Sequence, residues 1–384
     1  MSKKILLITD GNSLFIHDTI AKLKEIHPTL QFELLPTNYE FKKIPSLLFK
    51  KIHTPTFVMR LFLQWISLLN HDIAFYLMRF FLKNYFKKSN FEYDFVHIHF
   101  LNKNLLYIPL KNLEKLENKL IISIWGSDFY KRTEAEKKRM IPFLQLAKKI
   151  TIANEQAAKD FISQFDFTKE KIQILKFGLS ILDEIKKITS SNEQKILPFY
   201  PPLPPHTLVI TIGYSSHPDH QHFKIIKVLS EKLPEPLLKN IFFVFPLTYG
   251  DPSYRKKLKK FISKKNLNYI LYTRPLSNKE IATIRIHTDI MIHLRKTDML
   301  SASFQEHLLA GNVVITGKWL PYSILKEKGC YFHEIDAIDD LPEKILYVVE
   351  NLAAEKEKAK VNAHIIYEIS SWEKVIQKHV ELYS

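Results

Sequence analysis

Two carboxylates in the last third of the chain, Asp298 and Glu306, have seven residues between them, and their neighbours are cationic or hydroxylated: Arg295, Lys296, Ser301, Ser303. The stretch from Asp289 to Gly311 reads as a short apolar strand over Ile290 to Leu294, a polar loop, and a helix. That helix starts near Ser301 to Ser303 and stops at Gly311. Asp298 then lies in the loop and Glu306 about a turn into the helix, so both can face one ligand. Free amides at Ser301, Ala302 and Ser303 and the positive end of the helix would attract an anion such as a diphosphate. A plainer reading fits the same residues, because Ser303-Phe304-Gln305-Glu306 also spells a capping box in which Glu306 reaches back to a helix-terminal amide.

Acid–base candidates sit earlier. His17 lies near the start of a helix expected from about Leu14 to Ile26, after a turn at Asp10-Gly11-Asn12-Ser13; it suits a base or a substrate contact, or merely a histidine on an exposed helix face. Asp94-Phe95-Val96-His97-Ile98-His99 alternates as a strand, with one histidine expected at the sheet edge or cleft and the other on the packed side. Zinc is the rival explanation for that pair, but no third ligand with metal-site spacing follows. Asp128 comes just after a buried strand, Leu120 to Ile124, where Gly126 permits a tight turn; it can act as a base or cap a helix. A second anion cradle follows the strand Leu208 to Ile212, where Gly213, Ser215, His217 and His222 lie on a polar loop leading into a helix.

These residues need strands to hold them. Continuous apolar runs at Ile5–Ile8, Leu120–Ile124, Lys149–Asn154, Ile172–Gly178, Thr207–Ile212, Ile241–Phe245, Ile270–Thr273 and Asn312–Thr316 look like parallel strands buried on both faces. Helical stretches separate them, which predicts an α/β chain of two Rossmann-like domains. The first covers 1–178. A proline-rich linker covers 179–205, dominated by Leu197-Pro198-Phe199-Tyr200-Pro201-Pro202-Leu203-Pro204-Pro205, too proline-dense for helix or central strand. The second domain covers 206–362, including a charged helix from about 341 to 361, and a last helix covers 363–384.

Several segments carry a resemblance. The Asp298/Glu306 pair followed by Ala310-Gly311 resembles the acidic pair of GT-B glycosyltransferases, with Asp298 where that family usually has Glu. Trp125-Gly126-Ser127-Asp128-Phe129-Tyr130, Ile212-Gly213-Tyr214-Ser215 through His222, and Pro246-Leu247-Thr248-Tyr249-Gly250-Asp251 resemble segments of the bacterial transferases that add 4-acetamido-4,6-dideoxygalactose to a lipid-linked saccharide. Trp125 stands where other GT-B enzymes have His, and Tyr214 where the dideoxysugar enzymes have Asn. The resemblance implies a GT-B fold whose final helix crosses back to the first domain. It implies that Glu306 holds the nucleotide ribose, that Asp298 holds sugar hydroxyls, and that His222 and its loop hold donor phosphates or hydroxyls. It further implies that Tyr249 contacts the base or a phosphate and that Arg274 lies on the loop near the base. The acceptor base would come from the first domain: Asp128, then His17 or His99. The nucleotide-sugar is a co-substrate; no cofactor or metal is implied.

Composition limits the alternatives. One cysteine, Cys330, excludes an intrachain disulfide, and the start of the chain has no secretory pattern, so a cytoplasmic protein is expected. Net charge +16 calls for an anionic partner. Between Ile44 and Phe86 two aromatic-rich helices are flanked by Lys42, Lys43, Lys50, Lys51, Lys83, Lys87 and Lys88. Neither is long enough to span a bilayer, and they suit either a peripheral contact with an anionic membrane or two ordinary core helices. The expected partners are a nucleotide-sugar, a saccharide acceptor that lipid could carry, and that membrane surface. A nucleotide-sugar epimerase and a basic nucleic-acid-binding protein remain as alternatives, though no nucleic-acid motif is present.

Overall fold

The structure, a computed structural model, describes residues 2–11, 13–38, 44–191 and 201–384. Asn12, Lys42, Lys43 and the connector residues 192–200, with Leu197 to Tyr200 among them, lie outside these. The described strands are β1 (Lys3–Thr9), β2 (Leu30–Pro36), β3 (Lys51–Ile52), β4 (Phe95–His99), β5 (Leu120–Ile124), β6 (Lys149–Ile152) and β7 (Ile172–Ile174), then β8 (Leu208–Ile212), β9 (Ile241–Pro246), β10 (Asn268–Tyr272), β11 (Ile290–His293), β12 (Val313–Gly317) and β13 (His333–Ile335). They form two all-parallel sheets, β3-β2-β1-β4-β5-β6-β7 and β10-β9-β8-β11-β12-β13. The chain is therefore α/β with two Rossmann-like domains.

Strand order matters for function. Each sheet is wound outwards in two directions from its first strand, so the order reverses between β1 and β4 in one and between β8 and β11 in the other. Loops leaving neighbouring strands on either side of such a reversal run to opposite faces and open a crevice at the carboxyl ends.

The domains are Met1–Gly178 with Val375–Ser384, and Leu179–Lys374. Two boundaries differ from those read in the sequence. Ser180–Ser190, assigned to the linker, is a helix whose Ile181, Leu182 and Ile185 are buried with Phe304 and Leu308 of the second domain. Residues 363–370, assigned to the last helix, belong to helix Val361–Ser370 and also stay in the second domain, because Ile366 joins the same apolar cluster. Only from Val375 does the chain rejoin the first domain, where Tyr383 packs its ring against Phe32 and Phe95. The single helix expected over 341–361 is instead Leu341–Glu350 followed by Leu352–Ala359, with a break at Asn351.

The second sheet is covered on both faces. Along β11, Ile290 and Ile292 point into one apolar cluster, with helices His222–Lys232 and Leu341–Glu350, while Met291 points into the other, with Phe304, Leu308 and Val314. A continuous apolar strand is what burial on two sides requires. Such a core holds the loops at its carboxyl edge to a fixed spacing.

Candidate functional site

The residues with chemistry in the second domain gather at its switch point. Three hydrogen bonds join the loops after β8 and β11: Gly213 N donates to Ile292 O at 3.1 Å, Lys296 N to Asp219 O at 3.0 Å, and Gln221 Nε2 to Leu294 O at 2.8 Å. Gly213 has φ +64, and a Cβ there would stand 2.9 Å from His222 Nε2 and 3.0 Å from His220 Nδ1. Only glycine lets the backbone turn this close to two imidazoles.

Arg295 is the cation at this junction. Its Nη1 donates to the Tyr214 hydroxyl, its guanidinium carbon lies 5.5 Å from the Tyr214 ring centre, and Asp219 and Asp298 are 3.7 and 3.9 Å away. Burial favours its neutral form, but Tyr214 and Asp298 more than offset this and hold the arginine charged. Its buried Nε has no hydrogen-bond partner. The helix Ala302–Leu309 begins beside this loop, with Ser301 as its cap accepting from Phe304 N at 3.3 Å. Ser303 is buried with its hydroxyl unpartnered. A cation and a helix N-terminus at one switch point are the kinds of group that attract an anion.

The two acids divide differently from expectation. Asp298 Oδ2 accepts from His293 Nε2 at 3.0 Å and from the Tyr322 hydroxyl at 2.9 Å, while Oδ1 accepts from Met299 N at 2.8 Å. Burial would raise its pKa, but the His293 hydrogen bond and Arg295 bring it below the ordinary range. Asp298 thus anchors its own loop. Glu306 is 6% exposed, and Oε2 accepts from Nε of the buried Arg285 at 3.0 Å and is ion-paired with its Nη2, also at 3.0 Å. It is neither a freely exposed ribose ligand nor the closing residue of a capping box: the cap is Ser301, and the carboxylate turns to Arg285 in helix Asn278–His287.

Other expected contacts separate into reachable and unreachable. His217, at the loop surface, accepts from Asp219 N at 3.2 Å; Lys296 is exposed; Tyr249 is 58% exposed on the loop after β9, its ring centre 6.4 Å from that of Tyr214. Ser215 is buried, its hydroxyl 3.0 Å from His220 Nε2. His222 is fully buried, with Nδ1 3.2 Å from the Tyr254 hydroxyl, and burial lowers its pKa to about 3. It backs the glycine loop and does not reach a surface ligand. Arg274 is exposed after the edge strand β10 and is bound to Glu280, which also caps its own helix through Ser277.

Sequence reasoning missed Arg285, His293 and Tyr322. His293 had a visible signal, being an imidazole at the end of an otherwise apolar buried strand. Arg285 had none, since its partner is 21 residues away and on another helix.

The first domain rearranges the base candidates. Asp128 is fully buried, its carboxylate accepting from Leu101 N at 2.9 Å and Trp125 N at 2.8 Å; burial raises its pKa to about 6. It clamps the loops after β4 and β5 together and cannot meet an acceptor. Gly126, with φ +99, occupies the cap position of the short helix Ser127–Tyr130. His97 and His99 do not face opposite ways. Positions two apart along a strand share a face, and the rings stack 3.8 Å apart, both buried. Burial, then nearby His379, lowers the pKa of His99 to about 3, which keeps it neutral and a poor proton acceptor. His17, 9% exposed on helix Leu14–Ile26 beyond β1, is the least enclosed of these candidates: Nε2 donates to Gly11 O at 2.8 Å, so in the neutral ring Nδ1 carries the lone pair. Among the described residues, no group of three or more His, Cys, Asp or Glu side chains is arranged to hold a metal ion.

No family model and no curated protein matches the sequence. Solved structures do match it over the full chain. HepE from Anabaena, solved with UDP and glucose, is 14% identical and covers 99% of each chain at a TM-score of 0.67. A glycosyltransferase from Rickettsia africae is 14% identical over 100% of this chain and 98% of its own, at 0.68. Sucrose-phosphate synthase from Thermosynechococcus elongatus is 10% identical over 99% and 98%, at 0.69. The chain has the two-domain GT-B fold these proteins share.

Proposed function

We propose that this protein is a glycosyltransferase: its second domain binds a nucleotide-sugar, and its first domain binds the saccharide that accepts the sugar. The observation that carries the reading is Arg295, held charged by Tyr214 and Asp298 beside the N-terminus of helix Ala302–Leu309, at the switch point between β8 and β11. HepE, solved with UDP-glucose, supports the same donor class. Attack of an acceptor hydroxyl on the anomeric carbon breaks the bond to the diphosphate oxygen and leaves negative charge there. Arg295, Lys296 and the amides of Ser301 to Ser303 offset that charge without a metal. Where the hydroxyl proton needs a base, Nδ1 of His17 takes it.

The acceptor is proposed to be a growing cell-surface polysaccharide or glycolipid carried on lipid. The test is a nucleotide-sugar panel that includes 4-acetamido-4,6-dideoxygalactose donors, chosen for the three segments that resemble their transferases. Donor binding is read as a rise in melting temperature, and transfer as nucleoside diphosphate release that requires a saccharide acceptor. Conversion of the donor to an isomer with no acceptor present would replace this reading with epimerisation.

A further inference from the structure

Between β3 and β4 the first domain carries two consecutive helices, Phe57–Leu69 and His71–Lys88, each capped by the residue before it: Thr56 accepts from Met59 N, and Asn70 from Asp72 N and Ile73 N. Their inner faces are ordinary core, with Leu63, Ala74, Met78, Leu82 and Phe86 buried. Their outer faces are not. On the first helix Val58, Leu61, Phe62, Trp65, Leu68 and Leu69 recur at helical spacing and all are exposed, Trp65 by 59% and Leu68 by 85%. The second continues with exposed Ile73, Tyr76 and Phe80. A run of large apolar side chains in water marks a contact surface.

The charges identify what covers it. Residues 44–90 contain Lys50, Lys51, Arg60, Arg79, Lys83, Lys87 and Lys88 against a single acid, Asp72. On the second helix, positions 73, 76, 80, 83 and 87 share one stripe, so the apolar face runs directly into Lys83 and Lys87. Over the seven residues from Phe80 to Lys87 the helix rises about 10 Å, so cations flank the apolar stripe at close range. Leu47, 93% exposed, is followed by Lys50 and Lys51 at the other end of the segment. No helix among the described residues is long and apolar enough to cross a membrane. A second copy is disfavoured, because a symmetric contact would bring the same seven cations together.

We propose that the outer faces of helices Phe57–Leu69 and His71–Lys88 lie in the headgroup region of an anionic lipid bilayer, with Trp65, Leu68 and their apolar neighbours inserted and the flanking lysines on lipid phosphates. The inference does not rest on the transfer reaction: vesicle binding and donor binding are separate measurements, and either can fail alone.

The test is flotation of the full chain with vesicles of phosphatidylcholine and phosphatidylglycerol at seven to three, against phosphatidylcholine alone. The protein floats with the anionic vesicles and much less with the neutral ones. Tryptophan emission shifts to the blue on binding, and Trp65→Phe removes that shift while flotation persists. Trp65→Glu with Leu68→Glu lowers partitioning more than about tenfold, and Lys87→Ser with Lys88→Ser lowers it roughly thirtyfold on anionic vesicles only. Melting temperatures stay unchanged, since all four side chains are exposed. Failure to float with anionic vesicles, flotation indifferent to Trp65→Glu with Leu68→Glu, or a self-association that this pair abolishes would each overturn the proposal. The Trp65→Phe measurement stands even if the glutamate variants fold poorly.

Discussion

Replacing Glu306 by alanine tests whether this acid belongs to the scaffold or to the ligand. Its partner Arg285 is 5% exposed, and Nη1 of that guanidinium already lacks a hydrogen-bond partner. Removing the carboxylate leaves a buried cation without its counter-charge, which costs about 3–5 kcal/mol. The second domain runs from Leu179 to Lys374, and for a domain of that size each kcal/mol moves the melting temperature by about 2–4 °C. Glu306→Ala should therefore melt roughly 6–20 °C lower, and Arg285→Ala comparably. Arg285→Met with Glu306→Gln should recover at least half of that loss, since an apolar or neutral pair of similar volume needs no buried charge. Thermal and urea unfolding of the wild type, Arg285→Met, Glu306→Gln and their double give the coupling energy directly. A Glu306→Ala protein melting within a degree of wild type, or a double variant showing the full sum of the singles, would refute the buried pair and return Glu306 to the ligand.

Three further outcomes follow. Gly213→Ala should destabilise the second domain by about 1–3 kcal/mol, because φ +64 and the two imidazoles leave no room for a methyl group; a variant of wild-type stability and donor affinity would count against this geometry. Asp128 has a folded pKa of about 6 against an ordinary value of 3.8, so its contribution to stability is fully present below about pH 3.8 and disappears as pH rises through about 6. Over that window urea unfolding should show wild type losing about 3 kcal/mol that Asp128→Asn does not lose; parallel pH profiles would refute it. His17→Ala should cut turnover by a factor of about 100 or more while leaving donor affinity unchanged; unaltered turnover would remove His17 as the base.

Much of this architecture was legible in the chain. Ile5–Ile8, Leu120–Ile124 and Ile290–Leu294 announce doubly buried strands because at most one polar residue, Ser123 or His293, interrupts each run, and the loop after β11 declared itself by collecting Arg295, Asp298 and Ser301 at a strand end. Burial of individual polar groups was not legible. Asp128 follows a turn glycine just as an exposed acid would, and only the backbone amide of Leu101, brought in from the loop after β4 to join that of neighbouring Trp125, shows that it is sealed. Glu306 is held by an arginine on a different helix, and no local spacing encodes that pairing. The histidine pair was misplaced for a simpler reason: residues two apart in a strand share a face. Ser180–Ser190 was absorbed into the linker because of the proline run that follows, although Ile181, Leu182 and Ile185 already have the spacing of a packed helix.

The central claim is that Arg295 and the adjoining helix N-terminus hold a diphosphate at the switch point of the second sheet. Calorimetric titration of nucleoside diphosphates into the wild type and Arg295→Ala tests it most directly. The account predicts that at least one nucleotide binds and that the substitution weakens it by about 10- to 100-fold, the worth of a charge-assisted contact to phosphate. Equal affinity for the two proteins would contradict it.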